Sequence, residues 1–438
     1  MESDAWLPPD GALRVLPPGR PRPDDDRSRL MPELGTSDDI VFLVSAFAMA
    51  ALFVAGVVEQ RNHRANVARL PLRISVNGSR GKSTVTRLLT GALAAGGRRP
   101  LGKTTGTEAR LIRGWDLEEE PIHRRPEGPN IGEQREMMRR AVTHDADTVV
   151  AECMAVTPEY QLTFHRQMLD VNLLVITNAL DDHLEEMGPT AEDVAEVFAA
   201  SIPADGTVVV VPGPHVDRFA AAAEERQAKL VIADPAEVDD DLLQRFDHLV
   251  LAEHVALTLA VSRHLGIADR DAIEGMLAAP PDPFATRLLP IGDPRDPALL
   301  VNAFPANDPA STLGIWEHIG ERGYPKDGLT VIMNCRGDRV ARTQQFAIDV
   351  LPKLPIETLV VVGDSTQAVV RAAADGRIPT RQVHDLSGEA PAAVVDALNG
   401  NLRGRVVLGV GNLHGGGAEL LAALEQLAVS DTPRLGAN

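Results

Sequence analysis

A glycine-rich turn carries the clearest chemical signal in this sequence of 438 residues. The run RISVNGSRGKSTVTRLL (73–89) has an apolar strand pattern before the turn and a helical pattern after it. Backbone N–H groups in such a turn can converge on phosphate oxygens, and the helix N-terminus adds partial positive charge. Lys82 is therefore expected to reach the β- and γ-phosphates of ATP, and the Ser83 hydroxyl to bind Mg²⁺. The predicted nucleotide contacts from this turn are Asn77, Gly78, Ser79, Arg80, Gly81, Lys82, Ser83 and Thr84.

The turn departs from the strict G-x4-GK[ST] phosphate loop, because Val76 occupies the position of the first glycine. What remains is a shorter G-x-x-GKS turn between a strand and a helix. A chance GKS sequence in an ordinary loop is the alternative interpretation. The surrounding strand–turn–helix pattern argues against that alternative.

Short apolar runs alternate with amphipathic helical patterns from Leu72 onward, which predicts an α/β fold with a doubly wound sheet. The first set of predicted buried parallel strands comprises residues 73–76, 147–152, 173–177, 207–211 and 229–233. A helical stretch from Glu253 to Leu277 closes this set, and prolines 280, 281 and 283 mark a boundary. The second set comprises residues 298–304, 329–334, 358–363 and 405–411. We predict a phosphate-loop domain at 70–283 and a smaller Rossmann-like α/β domain at 284–429.

Residues 40–58 form a continuous apolar run without a charge. At about 1.5 Å per residue the run spans roughly 28 Å, close to the thickness of a bilayer's hydrocarbon core. A cleaved signal peptide would need a basic start, and a buried core helix would usually show a polar stripe. We therefore predict a transmembrane helix. The basic residues that follow it favour a cytosolic C-terminal side: Arg61, Arg64, Arg69 and Arg73.

The overall composition is that of a globular protein with a strong acidic excess. A formal net charge of −19 argues against general nucleic-acid binding, which needs a basic face. The two cysteines, Cys153 and Cys335, allow no disulfide framework, which fits a reducing compartment. The Pro- and Asp-rich residues 1–37 and the last residues, 430–438, are predicted to be loose tails.

Several motifs together resemble the Mur ligase superfamily, and within it the catalytic subunits of poly-γ-glutamate (capsule) synthases of the PgsB/CapB type. The resemblance covers nearly the whole chain beyond residue 70. It is carried by NGSRGKSTVTRLL (77–89), GKTTGTEARLI (102–112), EEPIHRRPEGPNIGEQ (119–134), VAECMAVTPEYQ (150–161), VITNALDDHLEEMG (175–188), ATRLLPIGD (285–293), VNAFPANDPAST (301–312), NCRGDRVARTQQF (334–346) and GVGNLHG (409–415).

This resemblance implies a catalytic set of Lys82, Glu152, His183 and Arg287. Glu152 and His183 are implied to bind Mg²⁺ together with Ser83, although Mg²⁺ prefers oxygen ligands. Arg287 is implied to reach the γ-phosphate from the second domain. The alternatives are a capping carboxylate, a structural histidine and a surface arginine. No lysine occurs in residues 193–202, where many Mur ligases carry one for a second metal, so that site would be built differently.

The same resemblance suggests further contacts. VNAFPANDPAST is similar to a nucleotide-contacting loop, which makes Asn302, Asn307 and Asp308 candidates, with a simple Asn-Asp-Pro turn as the alternative. Candidates for binding glutamate or its polymer are Lys103, Thr104, Thr105, Thr107, Arg124, Arg125, Arg336, Arg339 and His414. A solvated surface role is an equal alternative for these residues.

The implied function is ATP-dependent amide ligation that adds glutamate to poly-γ-glutamate through an acyl phosphate, with release of ADP and phosphate. ATP and Mg²⁺ are the expected cofactors, and glutamate, the anionic polymer and other membrane subunits the expected partners. The alternatives are a membrane-tethered ATPase for transport or assembly, a non-catalytic nucleotide-binding subunit, and another Mur-type ligase such as a folylpolyglutamate synthase. ATP chemistry would place the catalytic domains in the cytoplasm.

Overall fold

The computed structural model describes residues 37–105, 108–124, 128–181, 183–283, 285–306, 308–321, 328–398 and 402–429. The chain divides into one unit that ends at Asn62 and a second that begins at His63. Apart from Ser37, both predicted tails lie outside the described residues.

A single long helix, α1, runs from Ser37 to Ala68. It contains the predicted 40–58 segment and continues past it, because the charged residues that follow are themselves good helix formers. Its apolar side chains are exposed, with Phe42 at 72% and Phe47 at 77% of their full accessibility. The helix is long enough to cross a membrane, and the mean hydropathy of its most apolar 18-residue window is 2.6.

The first sheet contains eight strands: β1 Leu72–Asn77, β2 Pro100–Lys103, β3 Arg110–Arg113, β4 Glu118–Pro121, β5 Thr148–Glu152, β6 Leu173–Ile176, β7 Thr207–Val210 and β8 Lys229–Ile232. Their order across the sheet is β4-β3-β2-β5-β1-β6-β7-β8. Strand β1 lies in the middle and pairs in parallel with β5 and β6. Apolar clusters cover both faces, which explains the continuous apolar runs of the central strands.

All five strands predicted for this sheet are present, but the sheet is larger and more varied than predicted. Strand β2 contains Pro100 and Gly102, two of the four residues of β3 are arginines, and β4 has three glutamates, so none of these sequences shows the continuous apolar run of a buried strand. Strands β3 and β4 extend the sheet in antiparallel fashion. Strand β8 was predicted to be buried, but it forms the edge of the sheet, and Ile232 is 53% exposed.

The helices that follow β1 and accompany the first sheet are α2 Lys82–Ala95, α3 Glu133–Thr143, α4 Pro158–Leu162, α5 Leu184–Met187, α6 Ala191–Ala200, α7 Val216–Glu225, α8 Asp240–Leu243, α9 Ala252–His264 and α10 Asp269–Ala278. The predicted stretch from Glu253 to Leu277 is thus two helices. Gly266, with φ +76°, lies between them, and this left-handed conformation ends α9.

The second sheet contains β9 Leu288–Ile291, β10 Ala298–Asn302, β11 Leu329–Cys335, β12 Ile356–Gly363, β13 Gln382–Leu386 and β14 Val406–Val410. Their order is β13-β12-β11-β14-β10-β9, and within the described ranges β9 alone is antiparallel to its neighbour. The associated helices are α11 Pro309–Glu321, α12 Val340–Asp349, α13 Gln367–Ala374, α14 Pro391–Leu398 and α15 Gly417–Glu425. The α/β class is confirmed, whereas the domain boundary near residue 283 stays a prediction.

Helix α2, which follows the glycine-rich turn, packs closely against α10. A Cβ added to Gly91 would lie 2.2 Å from the carbonyl oxygen of Gly275, and one added to Gly275 would lie 2.2 Å from that of Gly91. The two backbones therefore approach each other so closely that a residue with a side chain does not fit at either glycine position. This contact holds the helix that begins at Lys82.

We expect Gly91→Ala to lower the melting temperature of the detergent-solubilised full chain. The added methyl group forces α2 and α10 apart, and overpacking of this kind costs about 1–3 kcal/mol. Gly314→Ala in α11 is the matched control, since an added Cβ there meets nothing within 4 Å. Alanine is the better helix former, so the control should keep or raise the melting temperature. Equal values for the two variants would contradict the tight helix contact.

Candidate functional site

The glycine-rich turn joins β1 to α2 at the centre of the first sheet. Gly78 has φ +128°, and a Cβ there would lie 2.1 Å from Thr177 Oγ1. Gly81 has φ +82°, in the left-handed region that favours glycine. Both glycines are therefore required by the backbone path of the turn. The carboxyl ends of β5 and β6 flank this point. The chain passes from β1 to β2 on one side of it and from β5 to β6 on the other, and α/β sheets bind ligands at such a switch point.

The segment after β6 holds the turn in place through side-chain hydrogen bonds. Ser79 Oγ donates to Leu180 O (3.1 Å) and accepts from Leu180 N (2.9 Å). Asn178 Oδ1 accepts from Arg80 N at 2.9 Å, and Thr177 Oγ1 donates to Arg80 O at 2.6 Å. Thr177 and Asn178 were not predicted to contact the turn. Their position after a strand that neighbours β1 was the available signal.

Lys82 is folded back over its own turn. Its Nζ donates to the carbonyl oxygens of Gly78 at 2.6 Å and Ser79 at 3.0 Å. These are neutral acceptors, so a phosphate oxygen would be a stronger partner for the ammonium group. The lysine can therefore turn from the loop to a bound phosphate without leaving a charged partner behind.

A cavity of about 230 Å³ opens beside the turn. It brings together side chains from distant parts of the sequence, and the predicted site residues in its wall are Asn77, Gly78, Lys82, Thr105, Arg124, Glu152 and His183. Because these residues combine cations, a carboxylate and an imidazole, the cavity suits a charged ligand with several anionic groups.

Glu152 ends β5 and is 4% exposed. Its Oε2 accepts hydrogen bonds from Ser83 Oγ and from Thr105 N, both at 2.8 Å. Ser83 and Glu152, two of the three residues predicted to bind the metal ion, are thus in direct contact. His183, with φ +50°, lines the same cavity.

The described residues contain no group of three or more His, Cys, Asp or Glu side chains that could hold a metal ion. Ser83, Glu152 and His183 supply one hydroxyl, one carboxylate and one imidazole. Mg²⁺ commonly takes only one or two carboxylates from the protein and completes its shell with water and phosphate oxygens. This donor set therefore fits Mg²⁺ bound together with a nucleotide.

Lys103 ends β2 beneath the cavity wall and is 1% exposed. Its Nζ lies 3.1 Å from Glu133 Oε2 in an ion pair, and burial lowers the pKa of Lys103 although Glu133 opposes that shift. Arg124 Nε donates to Glu133 Oε1 at 3.0 Å, and Arg124 Nη1 donates to Thr105 O at 3.3 Å.

Thr104 is buried and accepts from the backbone of Arg110. The remaining candidates in this region, Thr107 and Arg125, lie outside the described residues.

The candidates around β9 and β10 occupy a different place. Arg287 pairs through its backbone with His248, and Arg287 O accepts from Asn302 N at 2.9 Å. A hydrogen bond from His248 is the main cause of the lowered pKa of Asp247, and the Arg287 charge adds to it. Arg287 is not among the described residues that line the 230 Å³ cavity.

Three nucleotide contacts were predicted at the end of β10 and just after it, and two of them, Asn302 and Asp308, lie in the described part of the chain. Asn302 Oδ1 is buried and has no hydrogen-bond partner among the described residues. Asp308 Oδ1 accepts from Ser311 N at 2.9 Å and so caps the start of α11, as the alternative turn interpretation expects. Asn307 lies outside the described residues. The roles of Arg287, Asn302 and Asp308 stay predictions.

Arg336, Arg339 and His414 follow the carboxyl ends of β11 and β14. Arg336 pairs with Asp338 through two hydrogen bonds of 2.9 and 2.7 Å, and His414 O accepts from Asn334 Nδ2 at 3.3 Å. A crevice of about 140 Å³ lies at this edge of the second sheet and is lined by Asn334 among others. These three residues are thus near one another and do not line the 230 Å³ cavity.

A buried network behind the turn was not predicted. Asn77 Nδ2 donates to Gln161 Oε1 at 2.9 Å, and Gln161 O lies 2.7 Å from His165 Nδ1. A carbonyl can only accept, so Nδ1 carries the proton and Nε2 accepts from Ser75 Oγ at 3.0 Å. His165 lies in the π-helical segment Thr163–Met168, a feature frequent at functional sites. No sequence pattern identified it, since the π-helix depends on tertiary packing.

His254 is a second residue whose position the sequence did not reveal. A Cβ added to Gly81 would lie 2.3 Å from His254 Nε2, so the imidazole packs directly on the turn. Its Nδ1 accepts from Leu251 N at 3.4 Å at the start of α9. The ring therefore fits only against a glycine at position 81.

Two family models match the chain in separate regions. The model of the Mur ligase middle domain matches residues 76–252, which contain the glycine-rich turn and the 230 Å³ cavity. The model of the poly-gamma-glutamate synthase CapB C-terminal domain matches residues 288–427, which contain the second sheet.

The chain is similar to two curated proteins over most of its length. It is 45% identical to PGA synthase CapB of Bacillus subtilis over 383 residues, which cover 87% of this chain and 97% of that protein. It is 44% identical to the capsule biosynthesis protein CapB of Bacillus anthracis over 370 residues, 84% of this chain and 80% of that protein. Among solved structures, Escherichia coli FolC in complex with ADP shares the fold, with a TM-score of 0.53, 15% identity, and coverage of 83% of this chain and 92% of that one.

The buried histidine behind the turn predicts a pH-dependent stability. Burial lowers the pKa of His165 from 6.5 to about 4, so the unfolded chain binds a proton at a higher pH than the folded chain does. Stability from this group is complete above pH 6.5 and is lost as the pH falls toward 4. Between pH 6.5 and about pH 5 the loss amounts to about 2 kcal/mol.

We expect His165→Gln to remove this component of the acid sensitivity, because glutamine does not titrate. The measurement is the free energy of unfolding by urea at pH 7 and at about pH 5 for both proteins. His144→Gln, at an exposed position, is the control and should follow the parent chain. The interpretation is wrong if the His165 variant loses as much stability on acidification as the parent does.

Proposed function

The chain belongs to the CapB family of poly-γ-glutamate synthases, and from this premise we propose how it joins glutamate units through amide bonds with ATP as the energy source. The enzyme is an ATP-dependent amide ligase on a Mur-ligase-like α/β fold. The observation that carries the proposal is the 230 Å³ cavity, in which Lys82, Glu152 and Arg124 meet at the end of β1. A triphosphate and a carboxylate substrate would both find partners there.

The nucleotide would bind with its phosphates over the turn. The backbone N–H groups of residues 78–82 and the N-terminus of α2 supply fixed positive potential. Lys82 would exchange its two carbonyl acceptors for the β- and γ-phosphate oxygens. Ser83, Glu152 and His183 are the residues that would hold Mg²⁺, which would neutralise phosphate charge.

The carboxylate substrate would bind on the Arg124 side of the cavity, where Lys103 and Thr105 adjoin it. A substrate carboxylate oxygen attacks the γ-phosphorus, the bond from that phosphorus to the bridging oxygen breaks, and ADP leaves. The resulting acyl phosphate is attacked by the amine of a second glutamate. The amide forms, phosphate leaves, and the amine gives up a proton. The residues of the chain act chiefly by positioning and by charge neutralisation.

The region of the second sheet would supply the remaining contacts. Arg287 would reach the γ-phosphate, and Asn302, whose Oδ1 is buried without a partner among the described residues, would face the nucleotide with Asn307 and Asp308. Arg336, Arg339 and His414, which are collected at the carboxyl ends of β11 and β14, would bind the incoming amino acid.

The apolar helix α1 supports a membrane-tethered enzyme. We place the catalytic sheets in the cytoplasm, where ATP and glutamate are available and where the arginines after the apolar run are favoured. Other membrane subunits would receive the polymer. The strongly acidic surface, with a net charge of −19, gives no basis for nucleic-acid binding.

The proposal is tested with membranes or detergent-solubilised full chain, ATP, Mg²⁺ and glutamate. We expect ADP release that depends on glutamate, together with amide-linked glutamate in the product. AMP release would indicate adenylation and would overturn the acyl-phosphate step. ATP turnover at the same rate without glutamate would instead favour a transport or assembly ATPase.

Lys82→Ala is expected to reduce glutamate-dependent ADP release by at least about a hundredfold, because one preorganised cation at a developing charge contributes about that much. Its melting temperature should stay near that of the parent, since the partners of Lys82 among the described residues are neutral carbonyls of its own turn. Lys353→Ala, at an exposed position remote in sequence from the turn, is the control and should keep full activity. A fully active Lys82→Ala protein would remove this lysine from the mechanism.

A further inference from the structure

Glu133, the first residue of α3, connects the two cations on one side of the cavity. Its Oε1 accepts from Arg124 Nε at 3.0 Å, and its Oε2 lies 3.1 Å from Lys103 Nζ. Residues 103, 124 and 133 come from a strand end, a loop and a helix start, so this carboxylate fixes three separate chain segments. Glu133 was not among the site residues predicted from the sequence.

Arg124 is only partly used by the protein. Its Nε bonds to Glu133 and its Nη1 to Thr105 O, whereas its Nη2 is buried and has no hydrogen-bond partner among the described residues. A buried guanidinium N–H without a partner is costly, and such a group generally indicates a missing ligand. Arg124 lines the 230 Å³ cavity, so that ligand would come from the cavity.

The charges of the cluster favour one carboxylate. Lys103 and Arg124 contribute two positive charges and Glu133 one negative charge, which leaves one positive charge uncompensated within this trio. Burial opposes ionisation of Glu133, but the Lys103 charge and the hydrogen bonds from Arg124 and Lys103 outweigh it and hold the pKa of Glu133 below its usual range. Glu133 is therefore an ionised bridge that prevents Lys103 and Arg124 from repelling each other.

We propose that Glu133 is a positioning residue for the carboxylate substrate: it holds Arg124 so that Nη2 can bind that carboxylate, and it fixes Lys103 behind the cavity wall next to Arg124. This inference rests on the proposed function, because it names the residue that prepares the substrate side of the same cavity. The ligand class is a carboxylate such as the γ-carboxylate of glutamate or of its polymer.

Glu133 also has a structural contact, since its Oε1 accepts from Asn130 N at 3.3 Å before α3. Glu133→Gln separates the two roles. The amide oxygen of glutamine can still accept from Asn130 and Arg124, whereas its NH₂ group can only face the Lys103 ammonium as a second donor. The substitution therefore removes the bridge and retains the helix start.

The experiment measures ADP release by the full chain, with glutamate varied at saturating ATP and then ATP varied at saturating glutamate. We expect Glu133→Gln to raise the KM for glutamate about tenfold or more, as loss of a charged hydrogen-bond partner predicts, and to change the KM for ATP less than about twofold. Glu136→Gln is the matched control. It removes the same charge from the same helix turn, but Glu136 is 53% exposed and pairs with Arg139 and Arg140 at the surface.

The pH profile gives a second readout that a purely structural role would not change. The charged groups that act on Lys103 are Glu133, Arg124 and Glu152. Without Glu133 the pKa of Lys103 falls further, so the alkaline fall in kcat/KM for glutamate should begin at a lower pH in the variant. The inference is overturned if Glu133→Gln matches Glu136→Gln in both readouts, or if both KM values rise equally.

Glu133→Asp provides the test if the glutamine variant does not fold. Aspartate keeps the charge, but its carboxylate is one methylene shorter and cannot reach both cations. A glutamate KM equal to that of the parent would overturn the bridging role. If ADP release by the parent chain does not depend on glutamate, the proposed function fails and this inference fails with it. If the parent depends on glutamate but the variants keep its KM for glutamate, the inference alone is wrong.

Discussion

The close approach of Gly78 to Thr177 is the contact on which the site depends. No side chain fits at position 78, because a Cβ there would lie 2.1 Å from Thr177 Oγ1. This contact joins the end of β1 to the end of β6, while Ser83 joins the same turn to Glu152 at the end of β5. The ends of β1, β5 and β6 are therefore held together at one edge of the sheet, and the cavity opens beside that edge.

Local charge and overall charge have opposite signs in this protein. The chain carries a net charge of −19, yet Lys82 and Arg124 line the 230 Å³ cavity, and the buried Lys103 lies behind its wall. A net negative charge repels stray polyanions, whereas partly buried cations in a cavity of low dielectric constant attract a bound anion strongly. Glu133 makes this arrangement stable, because buried like charges need a shared counter-ion.

Much of the fold was accessible from the sequence. The central strands are buried on both faces, so their apolar runs clearly indicate strands. The glycine-rich turn between β1 and α2 is equally recognisable from its sequence. The added strands β2, β3 and β4 were missed, because proline, glycine and charged residues conceal a strand whose pairing is decided by neighbours. The break between α9 and α10 was missed because a single glycine in a helical pattern does not reveal its own φ angle.

The sequence alone determined which chemistry is possible, since residue type and local spacing decide whether a turn can hold phosphate and whether a helix is apolar enough for a membrane. Only the tertiary structure decided which distant residues meet. It placed Glu152, Thr105 and Arg124 around the turn, directed Asp308 to a helix cap, and revealed Glu133 and His165 as buried partners. The reason is physical: hydrogen bonds and ion pairs between segments depend on strand order and packing, and neither is encoded in any local pattern.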